Sequence, residues 1–365
     1  MKLRAARETL LKPLQAVIGV VERRQTMPIL ANVLLVAKNG TLSITATDLE
    51  VELVATAEVD IESGGEVTVP GRKLLDICRA LPDGAEVAVS QTGDKLAVRS
   101  GRSKFSLATL PAAEFPTVED IDATQTLDVP QGILVRLLEK THFSMAQQDV
   151  RYYLNGLLLE TGGKHLRAVA TDGHRLALCQ QELKGAKLKE QQVIVPRKGV
   201  LELQRLLTGE GAVTMELGSN HVRVQLDGIR FTSKLIDGRF PEYERVIPKE
   251  TSNRLAADRG ALRGALQRTA ILSNEKYRGI RLIIRDSGVT IQAHNPEQEE
   301  AEEELEVEYS GEDIEIGFNV NYLLDALGAI ESDSVSVAVQ DSNSSCLLRE
   351  PDSEDTRFVV MPMRL

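Results

Sequence analysis

Tyr153-Leu154-Asn155-Gly156-Leu157-Leu158-Leu159, the turn Gly162-Gly163 and Leu166-Arg167-Ala168-Val169-Ala170-Thr171-Asp172 decide the fold, because the chain says the same thing twice more. Earlier stand Met27 to Val36, the turn Asn39-Gly40 and Leu42 to Asp48. Later stand Gly279 to Ile284, the turn Ser287-Gly288 and Val289 to Asn295. Thr47 and Thr171 are 124 positions apart, and Thr171 and His294 are 123 apart. Short periods build solenoids and propellers; this one has the length of an independent domain. The chain is read as three tandem copies of one folding unit.

The remaining landmarks keep the register. Val69-Pro70-Gly71-Arg72-Lys73-Leu74-Leu75-Asp76 answers Val195-Pro196-Arg197-Lys198-Gly199-Val200-Leu201-Glu202, and Phe318 to Asp325 follows more loosely. Phe115-Pro116, Phe240-Pro241 and Met361-Pro362 close the copies. Leu10, Leu11, Leu14, Val17, Ile18 and Val21 share one face of an opening helix. A second helix follows each Val-Pro pair, proline suiting a first helical turn. Asn39-Gly40 predicts a type I′ hairpin. Val51, Leu53, Ala55, Ala57, Val59 and Ile61 alternate with Glu52, Thr56, Glu58 and Asp60, which predicts a half-buried strand, bent or broken by its length. Each copy is therefore α+β, with antiparallel sheets and two helices. The expected bounds are 1–120, 128–245 and 246–365, with linkers near 118–128 and 244–256.

Composition sets limits. The 365 residues have room for two or three cores, and 42% apolar with 27% charged residues is ordinary for a soluble protein. Cys78, Cys179 and Cys346 fall one per copy, far from any metal-ligand or disulfide spacing. No apolar run is long enough for a signal peptide or a membrane span. A cytoplasmic protein without metal or cofactor is expected. The five histidines are scattered, and no nucleophile elbow, zinc-protease helix or phosphate loop occurs. Asp172 and His174 suggest a dyad, but Asp48 holds the equivalent place without a histidine, so the repeat explains the aspartate.

The net charge of −11 argues against a nucleic-acid partner until its placement is considered. Six predicted helices (7–24, 71–81, 131–148, 197–208, 259–278 and 320–331) together carry roughly +9, leaving roughly −20 elsewhere. Basic helices and acidic strands would make two oppositely charged surfaces.

Thr171-Asp172-Gly173-His174-Arg175-Leu176, Phe240-Pro241-Glu242-Tyr243, Ile271 to Lys276, Asn295 to Glu303 and the terminal Val360 to Leu365 resemble the β subunit of bacterial DNA polymerase III, the replication sliding-clamp family. The resemblance runs from the first helix to the last residue. It implies a head-to-tail dimer, six similar domains in a ring, helices lining the hole and sheets outside. It implies no enzyme activity.

By that resemblance Arg24, Arg72, Gln148, Arg197 and Lys198 face duplex DNA, and Arg151, Tyr152 and Tyr153 lie on a DNA-touching loop. Base stacking would be the tyrosines' physical basis, and phosphate attraction would need no sequence. A groove for short linear motifs is implied at Leu154, Thr171, Gly173, His174, Arg175, Leu176, Pro241, Arg245, Val246, Ser345, Val359, Val360, Met361, Pro362, Met363 and Arg364. Its expected occupants are the replicative polymerase alpha subunit, the clamp-loader delta and gamma/tau subunits, and other polymerases and repair proteins. Within the copies, Gly173-His174-Arg175 reads as an insertion that copy one lacks, and the apolar tail could equally be an edge strand.

Ring closure has a charge signature. Lys95, Arg99, Arg102 and Lys104 surround Phe105 and Leu107, whereas Glu297, Glu299, Glu300, Glu302, Glu303 and Glu304 precede a strand-like Leu305 to Tyr309. A basic and an acidic edge at opposite ends of one chain can pair head to tail. Family positions add Ile271 and Leu272 against Phe105, and Lys73. A repeat scaffold that binds proteins but not DNA is the alternative reading; it predicts no retention on closed circular duplex.

Overall fold

Asn39 and Gly40 are both left-handed, with φ of 51° and 78°. They fold strand Asn32–Lys38 back onto Thr41–Thr47, as a type I′ turn requires. The computed structural model describes residues 1–21, 27–118, 121–249, 253–286 and 288–364. Its helices are α1 (Arg7–Val17), α2 (Gly71–Ala80), α3 (Gln131–Glu139), α4 (Arg197–Leu206), α5 (Arg259–Thr269) and α6 (Val320–Ala329). Leu10, Leu14 and Val17 are buried on α1, the face that apolar spacing predicts. Three helices are shorter than expected, because α1, α3 and α5 give way to 3-10 turns at Ile18–Val20, His142–Ser144 and Ala270–Leu272. Pro70 and Pro196 end strands just before α2 and α4, and Pro70 is the N-cap of α2 rather than part of its first turn. A strand's last residue needs no further N–H in the ladder, so proline is tolerated there.

The chain packs as two compact units, Met1–Leu134 with Lys198–Leu235, and Val135–Arg197 with Ile236–Leu365. Each is held by two antiparallel sheets. In the first unit a five-stranded sheet runs in the order Asp60–Ser63, Lys2–Ala6, Glu86–Thr92, Lys95–Ser100 and Ser103–Ala108. Its eight-stranded neighbour joins copy one to copy two, because Ile229–Lys234 pairs with Val51–Glu58. In the second unit a nine-stranded sheet joins copy two to copy three by pairing Arg175–Glu182 with Thr356–Val360. A four-stranded sheet runs Glu300–Glu306, Gly288–His294, Gly279–Arg285 and Ile314–Asn319.

The two joints use one register. Phe231 lies opposite Leu53, and Phe358 lies opposite Ala177. Leu53 and Ala177 are opposite Ala46 and Ala170 in their own hairpins, so they are homologous positions. Both phenylalanines are fully buried. Copies are therefore spliced edge to edge through strand ladders, and the splice hides strand edges that would otherwise pair promiscuously.

Several sequence expectations change. The Val51–Ile61 alternation is indeed broken, into Val51–Glu58 and Asp60–Ser63. Glu52, expected on the open face, is 1% exposed because Thr232 of the splice strand lies opposite it. The first linker is shorter than expected, since Ala123–Pro130 is a strand. The glutamate run itself forms a strand, Glu300–Glu306, paired with Gly288–His294, and the expected strand from Leu305 to Tyr309 is divided between it and Glu308–Ser310. The terminal Thr356–Val360 is an interior strand with neighbours on both sides, not an edge.

Glu52 accepts a hydrogen bond from the Val118 N–H at 2.7 Å and sits 3.7 Å from Arg230 Nη2. Burial raises its carboxyl pKa, with the Val118 N–H, Arg230 and Arg223 acting in the opposite direction. The folded state thus holds this proton more tightly than the unfolded chain, and that contribution is lost as pH rises through the folded pKa. Glu52→Gln keeps the acceptor for Val118 and removes the charge. Its thermal midpoint at pH 7.5 is expected to equal or exceed the parent's, with the difference vanishing in acid; a lower midpoint at pH 7.5 would contradict the assignment.

Candidate functional site

The Thr-Asp turn that ends the second hairpin strand in copies one and two builds the site's floor. Thr171 Oγ1 donates to the Arg175 carbonyl at 2.6 Å and accepts from the Gly173 N–H at 3.1 Å. Asp172 Oδ1 accepts from the N–H groups of His174 and Arg175 at 2.9 and 3.0 Å. Copy one makes the same four bonds with Thr47, Asp48, Leu49, Glu50 and Val51. The two loops have equal length, so Gly173-His174-Arg175 replaces Leu49-Glu50-Val51 and is not an insertion.

Leu49 and Gly173 are both left-handed, with φ of 77° and 88°. The turn alone therefore does not demand glycine, although leucine there costs about 1–2 kcal/mol. Arg151 demands it. A Cβ on Gly173 would stand 3.0 Å from both Arg151 Nη atoms. The guanidinium is held over the glycine by Asp149, through Nε at 3.0 Å and Nη2 at 2.8 Å, and by the Asp172 carbonyl at 3.3 Å. The same Arg151 hydrogen bonds hold the Asp149 carboxyl down to about 2.

Beside this turn lies a mainly apolar groove of about 190 Å³. Leu154, Thr171, Gly173, Arg175, Leu176, Pro241, Val246, Ser345, Val359 and Met361 line it, all expected from the sequence. Arg151 and Tyr153, expected at DNA, line it too, as do Glu242 and Tyr243, which were not singled out for it. The Phe240-Pro241-Glu242-Tyr243 run was the available signal for both. Six expected groove residues lie outside the lining. Val360 alternates to the opposite face and packs in the core of copy three. His174 contributes its carbonyl, which accepts from the Met361 N–H at 2.9 Å, while its side chain is exposed. Arg245 extends into solvent and pairs with Glu242 at 2.6 Å. Pro362, Met363 and Arg364 run on past the groove, with the Met363 N–H bonded to the Gly317 carbonyl at 2.9 Å.

Arg175 fastens the groove to copy three. It bonds Asp172 at 3.1 Å and the Phe143 carbonyl at 2.7 Å, lies 4.6 Å from the Tyr322 ring centre, and pairs with Asp325 of α6. Glu331, just beyond α6, takes Arg136 at 2.7 Å and Lys140 at 2.8 Å. The acidic character of this last helix is thus spent on arginines and lysines of copy two.

The six helices carry twelve Lys and Arg against five Asp and Glu. Among the described residues Lys12, Arg72, Lys73, Arg79, Arg197, Arg259 and Arg263 have no carboxylate partner. Arg72 Nη2 donates to the Val21 carbonyl at 2.6 Å, and Arg197 is half-buried. Lys198 is paired with Asp48, the copy-one counterpart of Asp172. Arg24 lies outside the described residues. Gln148 is exposed at φ 56°, and Val150 and Tyr152 on the same loop are 95% and 58% exposed.

Two sheet edges remain. Ser103–Ala108 ends the five-stranded sheet, with Lys104 outward, Phe105 half-buried, Leu107 buried, and Lys95 and Arg102 nearby. Glu300–Glu306 ends the four-stranded sheet. Glu297, Glu299, Glu300 and Glu302 are exposed, whereas Glu303 turns back to Arg268 at 2.6 Å. Ile271 is 75% exposed, Leu272 half-buried and Lys73 exposed. Among the described residues no cluster of His, Cys, Asp and Glu could hold a metal ion. Burial pushes the thiols of Cys78, Cys179 and Cys346 up to about 11, 11 and 12.

The chain matches three family models: the DNA polymerase III beta subunit N-terminal domain over residues 1–119, its central domain over 128–242 and its C-terminal domain over 244–364. It is 57% identical to a beta sliding clamp of Pseudomonas putida over 361 residues, covering 98% of each chain. Identity to the Escherichia coli K12 beta sliding clamp is 53% over 367 residues, covering both chains fully. Among solved structures, the Pseudomonas aeruginosa clamp bound to griselimycin superposes with a TM-score of 0.97 at 55% identity. Caulobacter crescentus pol III beta superposes at 0.96 and 40%. Both cover 100% of each chain.

Gly173→Leu, which installs the copy-one residue, is expected to leave the protein folded. Denaturant titration should show a loss of about 1–2 kcal/mol. A loss of more than about 4 kcal/mol would mean that the two turns are not interchangeable.

Proposed function

The chain belongs to the DNA polymerase III beta-subunit family, and from that premise we propose how its surfaces divide the work of a DNA sliding clamp. The protein is such a clamp, an accessory subunit of replication without catalytic chemistry of its own, and it tethers polymerase partners to DNA.

The observation that carries the finer reading is the repeated splice. Each internal joint pairs the last strand of one copy with the strand after the Thr-Asp turn of the preceding copy. Among the described residues, two strands of those classes have no such partner, Ser103–Ala108 of copy one and Glu300–Glu306 of copy three. Phe105 lies opposite Val98 as Phe231 lies opposite Val224, and Ala301 lies opposite Ala293. Carrying the register across sets Phe105 opposite Ala301 of a second copy, Lys104 opposite Glu302 and Arg102 opposite Glu304. Opposite charges meet on the outward face, and the exposed Ile271 gains cover beside Phe105. Two head-to-tail joints close a homodimeric ring.

Within the ring, cations with no carboxylate partner supply attraction to phosphates without reading bases. Each phosphate neutralised adds about 0.9 to the log–log salt slope. Arg72, Arg197, Lys12, Arg79 and Arg263 are the candidates, joined by Arg24. Lys198 contributes only by leaving Asp48. Gln148, Val150 and Tyr152 form the loop that meets DNA, and Tyr152 has the exposed ring that stacking needs. The groove takes short apolar peptide motifs from the replicative polymerase alpha subunit, the loader delta and gamma/tau subunits, and other polymerases and repair proteins. Griselimycin is bound by the Pseudomonas aeruginosa relative, and this groove is the site assigned to it in the present chain. The site of action is the cytoplasm, where the chromosome lies.

The direct functional test is retention: loaded protein should stay on a closed circular duplex and run off once the circle is cut. Equal loss from both forms would favour a protein-binding scaffold instead. For the joint, Lys104→Glu or Glu302→Lys alone should weaken the dimer roughly tenfold by native mass, and the two together should restore it; additive weakening would refute the register. Met361→Asp should reduce griselimycin affinity at least about 50-fold with the dimer intact, since the ligand would cover a charge where Met361 now offers an apolar side chain.

A further inference from the structure

One wall of the groove is not part of the sheet. Residues 240–247 cross the face of the nine-stranded sheet, and among the described residues no backbone hydrogen bond joins them to a strand; their backbone bonds are local, such as Tyr243 N–H to the Pro241 carbonyl at 2.7 Å. Something else must set their distance from Leu176 and Val359 on the opposite wall.

That something is Tyr243. Leu158, Val169 and Leu178 are register partners and form an apolar row on this face. Two residues further along the same strands, Glu160, Arg167 and Gln180 form a polar row on the same face. Tyr243 spans both. Its ring meets the Phe240 ring at 6.5 Å in one apolar cluster with Leu158, Val169 and Leu178, and its hydroxyl reaches the polar row. The hydroxyl accepts from Arg167 Nη1 at 2.6 Å and donates to Glu160 Oε1 at 3.2 Å. Burial raises the phenol pKa, so it keeps the proton it donates. Arg167 in turn is fixed by Gln180 Oε1, through Nε at 2.9 Å and Nη2 at 2.6 Å, and by Glu160 at 3.0 Å. The guanidinium's planar fork is thereby locked in one orientation. Its contact with the exposed Glu244, at 3.4 Å, is the longest of the set.

We propose that Arg167 is a positioning residue for peptide recognition: acting through the Tyr243 hydroxyl, it holds the Pro241–Val246 wall at the separation the groove's ligand requires. Arg167 does not itself line the groove. The inference rests on the groove reading above and adds a residue that acts from outside the ligand's reach. It also explains why Tyr243 is a tyrosine; a phenylalanine would fill the apolar row equally and leave the wall untethered.

The test measures griselimycin affinity for the full-length dimer in five variants: Tyr243→Phe, Arg167→Gln, the double variant, Arg167→Lys and Met361→Asp. A hydrogen bond to a charged group is worth roughly tenfold in an equilibrium constant. Tyr243→Phe and Arg167→Gln should each weaken binding about that much, and the double variant should be no weaker than the worse single one, because both break one tether. Arg167→Lys, which can still donate to the hydroxyl, should recover part of the loss. Thermal midpoint and dimer mass are followed in parallel, and folded variants with parental midpoints but reduced affinity support the proposal. Parental affinity in Tyr243→Phe and Arg167→Gln, with binding abolished by Met361→Asp, would overturn the positioning role and leave the groove standing. Multiplicative loss in the double variant would overturn it too. Undiminished binding by Met361→Asp would remove the groove reading and this inference together.

Discussion

A buried phenylalanine at a strand splice is the constraint from which the rest follows. Phe231 opposite Leu53 and Phe358 opposite Ala177 join three copies without a dedicated linker core. Each splice is both backbone ladder and apolar contact. A strand's hydrogen bonds fix register to one residue, and a slip of one would turn every side chain to the wrong face. The compact units accordingly cut across copy two rather than between copies. Among the described residues the same device leaves one strand of each type without such a partner, Ser103–Ala108 and Glu300–Glu306, and charge is concentrated there. Five glutamates in a seven-residue strand are poor β-formers, yet they guard an edge against indiscriminate pairing while remaining complementary to a lysine-bearing one.

The groove is a by-product of the second splice. Thr356–Val360 presents Val359 to one face and Val360 to the other, so a single strand supplies a groove wall and closes copy three's core. The first splice has the same turn, the same hydrogen bonds and a leucine where the second has glycine. The two turns differ at all three positions after Thr-Asp, Leu49-Glu50-Val51 against Gly173-His174-Arg175, and Arg151 lies over the glycine. Electrostatics follow the same economy. Lys198, Arg136, Lys140 and Arg175 tie copies together through Asp48, Glu331 and Asp325, which sets them apart from the helix cations that have no carboxylate partner among the described residues.

Much of this was legible in the sequence. The 124-residue repeat, the Asn39-Gly40 hairpin and the helices after Val-Pro are local patterns, and local patterns survive into structure. Six of the ten expected residues that line the groove, Thr171, Gly173, Arg175, Leu176, Pro241 and Met361, sit in runs that resemble a known family. What was missed depends on partners remote in sequence. Glu52 looks like a solvent-facing residue until Ile229–Lys234 covers it. Val360 looks like Val359 until alternation separates them. Gly173 looks like an insertion until the bonds of Thr47 and Asp48 are laid beside those of Thr171 and Asp172. Tyr243 was quoted as a family signature, but its tether through Arg167 exists only after two strands pair.

The central claim is that ring closure repeats the internal splice in the same register. Residues directly opposite in an antiparallel ladder lie about 4.5–5.5 Å apart at Cα, within disulfide range. The native thiols are buried and held protonated, so they do not compete. A chain carrying Lys104→Cys and Glu302→Cys should therefore oxidise to a covalent dimer that denaturant cannot release from a circular duplex. If that pair stays reduced while Lys104→Cys with Glu300→Cys cross-links, the third joint has another register and the account of closure is wrong.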